Sequence, residues 1–138
     1  FSAVRTEFKH LEYFYFHNFI YDFVWKNNVR RFSEKTSTLD LMHKYAADYK
    51  VVFVGDASMA PYEITHIGGN IEYHNEEAGA VWMQRLLATY PKLVWLNPMP
   101  EEYWPRTHSI KLVRDLVENR MFPLTIAGLD QAMAYLSK

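Results

Sequence analysis

Cysteine is absent from the 138 residues, which excludes disulfides and thiolate metal sites and suits a cytoplasmic setting. No apolar run reaches the roughly 18 residues that suggest a membrane span. Basic excess is missing too: 15 Lys and Arg stand against 16 Asp and Glu, for a net charge of −1. No face broad enough for nucleic acid follows from that balance. The six histidines make no i,i+4 pair and no His-Glu-x-x-His, so the helix-borne zinc hydrolase pattern is excluded. Repeats, low-complexity segments and linkers are not seen. Nor is a signal peptide, although the chain opens at Phe1 without methionine and is at once amphipathic. A removed upstream segment is expected on that account.

What is abundant is aromatic surface. Ten Tyr, nine Phe and four Trp make up 17% of the chain, so large flat side chains dominate packing in what its length makes one domain. Val4, Phe8 and Leu11 recur at helical spacing, predicting a helix over Phe1 to His10. Leu11 to Trp25 is rich in aromatic and β-branched residues and broken at His17-Asn18, which predicts a hairpin of two strands. Asn27 to Lys35 reads as a polar loop. Thr36-Ser37-Thr38 then offers hydroxyl caps for a helix over about Leu39 to Ala47. Val51 to Val54 is a short continuous apolar run, the pattern of a strand covered on both faces.

Downstream, Pro61 begins a short helical turn through Ile64, and Thr65 to Asn75 is a glycine-containing loop or small hairpin. Glu76 to Tyr90 is a helix, with acidic residues at its start and Trp82, Leu86 and Tyr90 four apart. Leu93 to Leu96 is a second buried strand, stopped by Asn97-Pro98. Thr107 or Ser109 caps a helix reaching about Asn119, Phe122 to Thr125 is a last strand, and Ile126 to Leu136 a last helix. The order predicts a doubly wound α/β fold whose mostly parallel sheet carries an antiparallel edge hairpin.

Ligands of open α/β sheets bind beyond the carboxyl ends of the strands. Asp56 falls there, after Gly55, which lets the backbone come close, and two before Ser58. Its carboxylate could hold a divalent cation, orient a water or simply cap the next turn. Thr36 or Thr38 could add a hydroxyl ligand, or serve only as a cap. Asn97, Pro98 and Pro100 with Trp104 lie at the same edge and could wall a pocket, or form a stiff loop that stops the strand. A serine-hydrolase reading centres on Ser58, with His108 as base. The nucleophile elbow wants Gly-x-Ser-x-Gly, and in Gly-Asp-Ala-Ser-Met-Ala the small residues are out of frame. His66 and His74 could meet at zinc if their loop folds back, though hydrogen-bonded surface histidines are the plainer reading. The tryptophans suggest a base-stacking platform only weakly, because no basic groove accompanies them.

The blocks FYFHNFIYDFVW, VVFVGDASMAPYE, VWLNPMPEEYW and MFPLTIAGLDQAMAYL resemble the C-terminal portion of bacterial proteins with a CoxE-like von Willebrand factor A (VWA) domain. The likeness spans nearly the whole chain. It implies a fold similar to integrin I domains, with a metal-ion-dependent adhesion site for Mg²⁺ at the C-terminal sheet edge. That site combines an upstream Asp-x-Ser-x-Ser, a middle Thr, and an Asp after the fourth strand. Asp56-Ala57-Ser58-Met59-Ala60 looks like the first motif with its last Ser lost, but too little chain follows it. The alignment that accounts for the hairpin makes Asp56 the third-motif Asp and Thr38 (or Thr36) the middle Thr, with Gly55, Ser58, Thr36 and Asn97 shaping the binding loop.

In that alignment the first strand, central between the hairpin and the Val51 strand, precedes Phe1. Two edges would then carry unpaired backbone groups, at about 1–3 kcal/mol each if buried. Another chain could supply the strand, by self-association through the open edges for instance; the sheet could close; or the chain could be part of a larger protein, the expectation adopted. The missing motif holds most of the direct ligands, so the resemblance implies Mg²⁺ for the intact protein rather than for this chain alone. It further implies a non-enzymatic, cytoplasmic module working with a MoxR-type AAA+ ATPase in protein assembly or remodelling.

Overall fold

The computed structural model describes residues 11–27, 34–67 and 75–138; the expected helix at Phe1 to His10 lies outside them. Among the described residues, five strands and five α-helices follow in chain order. β1 is Phe23–Trp25, β2 Lys35–Ser37, α1 Thr38–Lys44, β3 Val51–Val54, α2 Tyr62–Thr65, α3 Gly79–Thr89, β4 Leu93–Asn97, α4 His108–Leu116, β5 Met121–Pro123 and α5 Ile126–Leu136. A 3-10 helix, Glu101–Arg106, leads into α4.

β3, β4 and β5 form a parallel sheet in that order, with Phe53 opposite Trp95 and Trp95 opposite Met121. The crossover helices α3 and α4 bury Trp82, Met83, Leu86, Ile110 and Val113 on one face, against Phe53, Leu93 and Trp95. α5 covers the other face, where Ala132 and Leu136 meet Val94 and Leu96. β4 is therefore buried along its whole length. Helices on both faces of a parallel sheet make this an α/β fold, an incomplete relative of the Rossmann type.

Aromatic packing fixes the centre. Phe53 stacks on Trp95 with centroids 5.3 Å apart and planes 7° from parallel, and Phe19 stacks on the same indole at 5.8 Å. Rings of this size dominate buried area, and offset stacking adds to it.

The antiparallel pair differs from expectation. β1 makes its ladder with β2, and the two form a sheet of their own rather than an edge of the parallel one; the stretch before His17 meets β1 at the Tyr15–Trp25 bridge. Residues 11–22 contribute single bridges only, Tyr15 with Trp25 and His17 with Phe19. The expected reversal at His17-Asn18 is there: Asn18 sits at φ 65 and Phe19 N donates to His17 O at 2.7 Å, a γ-turn. Past this turn the antiparallel return is limited to the Tyr15–Trp25 bridge, and β1 makes its ladder with β2. Ser37 is the cap of α1, accepting from Asp40 N. α4 ends at Leu116, earlier than expected, with Glu118 and Asn119 both left-handed at φ 54 and 62. α5 has the predicted bounds. Among the described residues no helix is long and apolar enough to cross a membrane.

Candidate functional site

The turn after β3 is held from four directions. Trp95 Nε1 donates to Gly55 O at 2.8 Å. Asn97 Nδ2 donates to Asp56 O at 2.9 Å. Ser109 Oγ donates to Ala57 O at 2.7 Å and accepts from Met59 N at 3.1 Å, and Glu63 Oε2 accepts from Ala60 N. Ala57 takes φ 57 within this turn and is buried. A non-glycine residue in the left-handed region persists only where its surroundings impose it. The bracing groups come from β4, the start of α4 and α2, so the sheet's C-terminal edge presents one fixed loop.

Asp56 stands at the tip of that loop with an exposed side chain. Its Oδ1 accepts from Ser58 N at 2.9 Å, an Asx turn; the second oxygen is unassigned to any partner among the described residues. Ser58 is exposed, and no histidine bonds its hydroxyl among the described residues. Gly55 does permit a close approach, but by aromatic rings: a Cβ there would lie 3.2 Å from Phe16 Cζ and 3.4 Å from Trp95 Cζ2. Asn97 is wholly buried and spends its amide on Asp56 O and Met99 N, so it positions the loop from below.

Thr38 and Thr36 are placed elsewhere in the bonding network. Thr38 is 2% exposed and its Oγ1 donates to Tyr21 O at 2.6 Å, while Thr36 lies in β2 opposite Val24. Mg²⁺ wants about six oxygens in octahedral array. Asp56 and an inward-turned Thr38 hydroxyl do not compose such a shell. Among the described residues no group of three or more His, Cys, Asp or Glu is arranged to hold a metal. The His66–His74 zinc reading falls partly outside the described residues.

Two grooves flank the braced turn. One, of about 340 Å³, is lined by Phe14, Tyr15, Phe16 and Asn18 on one side and Val54, Gly55 and Asp56 on the other. The second, of about 580 Å³, lies beyond the carboxyl ends of β4 and β5 between the Asn97–Glu102 loop and the start of α5. Asn97 and Pro98 do wall a pocket, but it is the second one.

Sequence reasoning missed Asp22. Its Oδ2 accepts from Glu76 N at 2.7 Å, and its Oδ1 from Glu77 N at 3.4 Å and Trp82 Nε1 at 2.8 Å. The carboxylate thereby serves the amino end of α3, whose own cap residue Ala78 offers no side-chain bond. The partners are 54 to 60 residues away in sequence, and no local pattern announces such a contact.

No protein-family model matches the chain, and comparisons with curated proteins and with solved structures also give no match.

Proposed function

We propose that this chain is a VWA-type protein-interaction module, which engages a partner at the carboxyl edge of its sheet beside Asp56. The observation that carries the reading is the braced turn: five backbone positions from Gly55 to Ala60 are fixed by side chains of other elements, and an exposed carboxylate is left at the mouth of a groove. Rigid support beneath an exposed loop lowers the ordering cost of binding. The family resemblance supplies the partner's class, a MoxR-type ATPase, and the cytoplasm as the setting. Mg²⁺ would join at Asp56 only with further oxygen ligands, because the described residues furnish a single exposed carboxylate there.

The test is binding of the ATPase to wild-type protein and to Asp56→Ala at matched Mg²⁺. An exposed charge pair contributes about 0.2–1 kcal/mol and acts mainly on the association rate, so affinity should fall by up to about fivefold, and more at low salt. Equal affinity, with thermal stability unchanged, would remove Asp56 from the interface.

A further inference from the structure

The groove of about 580 Å³ is walled by segments that are already fixed. Its volume falls within the roughly 300–1,000 Å³ of ligand sites, and it lies beyond strand carboxyl ends, where open α/β sheets bind. One wall is clamped at Met99, whose N–H donates to Asn97 Oδ1 at 2.9 Å. Its carbonyl accepts from the buried Trp104 indole at 2.9 Å, and Pro98 and Pro100 restrict φ on either side. The facing wall is the first turn of α5, capped by Thr125. That turn sits so close to Pro123 O that Gly128 has no room for a Cβ. Neither wall waits on a ligand to be ordered, which lowers the cost of binding.

Charge and apolar surface together select the occupant. Glu101 and Glu102 are the charged side chains that line the groove; both are exposed, and neither is paired with a cation among the described residues. The rest of the lining is neutral and largely apolar. Beside it the apolar surface continues: Leu124 is 43% exposed, and Ile126, between the lining residues Thr125 and Ala127, is 83% exposed. We propose that this groove docks a basic, apolar segment of a partner protein, with a Lys or Arg at the two glutamates and aliphatic side chains on Leu124 and Ile126. Two carboxylates without a counter-charge favour a cation. The uncovered aliphatic rim favours a protein segment over a small amine, because a molecule confined to the groove leaves Ile126 in water. A second copy of this chain, at net charge −1, brings no excess of cations to the contact. Asp56 does not line this groove, so the inference goes beyond the contact proposed above and needs no metal.

The probe is the peptide fluorescein-GLKLKLG-NH2, titrated into the full 138-residue chain in EDTA and read by anisotropy and NMR. Saturable binding is expected, with amide shifts at Met99, Glu101, Glu102, Leu124 and Ala127. The acidic counterpart GLELELG should not bind, and GSKSKSG should bind at least about tenfold more weakly for want of apolar contact. Glu101→Gln with Glu102→Gln should lose about three- to tenfold, a loss that about 0.5 M salt erases. Ile126→Ser, at an exposed position where the fold is little affected, should lose about threefold or more. Asp40→Asn with Asp48→Asn removes equal charge from exposed residues that do not line the groove, and should stay within about twofold. Neither ATPase nor free metal enters this assay, so its failure is separable from failure of the Asp56 contact. No saturable binding, equal losses in the two double variants, or butylamine binding as tightly as the peptide overturns the proposal. Dimerisation of the chain that the peptide competes away would give the groove to a second copy and overturn it too.

Discussion

Replacing Asp22 with alanine isolates a contact between segments 54 to 60 residues apart in sequence. Trp82 is 5% exposed, and its indole N–H, at 2.8 Å from Oδ1, has the carboxylate as its partner. Hydrogen bonds to a charged acceptor contribute about 1.5–3 kcal/mol, and an orphaned buried donor costs about 1–3. Glu76 N–H is exposed enough to recover water, and the 3.4 Å bond from Glu77 is long, so these two add little. Loss of a negative charge near the amino end of α3 adds about 0.3–1 kcal/mol. The indole therefore decides the outcome, and Asp22→Ala should destabilise by about 2–4 kcal/mol. Asp22→Asn keeps an oxygen for the indole and should cost about 1 kcal/mol. Urea unfolding followed by circular dichroism and tryptophan fluorescence measures both. A loss below about 0.5 kcal/mol for the alanine variant would show that water replaces the carboxylate freely, refuting the reasoning.

Gly128→Ala should be more damaging than its size suggests, because a Cβ there would sit 1.8 Å from Pro123 O; a loss above about 3 kcal/mol in urea unfolding is expected. Asn97→Ala removes partners from Asp56 O and Met99 N inside a wholly buried site. It should cost about 2–3 kcal/mol by the same measurement. Burial and the neighbouring Glu63 carboxylate push the Tyr21 phenol well above its usual value of 10. The neutral form is favoured in the fold, so its contribution is complete below about pH 10 and declines as pH rises beyond it, by up to about 1.4 kcal/mol per unit. Tyr21→Phe should flatten that alkaline limb of stability against pH; an unaltered limb would assign it to other groups.

Elements announced by a local pattern of residues were legible. The apolar run at Val51 to Val54 and the capped segment at Ile126 to Leu136 form a strand and a helix with the expected bounds, but the strand lies at the sheet's edge with Val52 and Val54 exposed rather than covered on both faces. Thr125 caps α5 by accepting from Gly128 N, a local signal of the kind sequence carries well. The antiparallel pairing was less legible, since β-rich residues on both sides of Asn18 fit several partners, and the γ-turn at Asn18 changes which one is in reach. Asp56 could be placed at a strand's end because periodicity locates that end. The brace beneath it could not be read, because Asn97 and Ser109 reach the loop from 41 to 52 residues away.

The lopsided cover of the sheet predicts how the molecule opens. β4 has neighbours on both sides and side chains sealed above and below, whereas β3 has one pairing neighbour and two half-bare valines. In deuterium oxide the amides of Val94 to Leu96 should be the last to label, reporting global unfolding, while those of Val52 and Val54 should label early through local fraying. Protection that rose selectively at those two valines would mark the moment the sheet gained a neighbour.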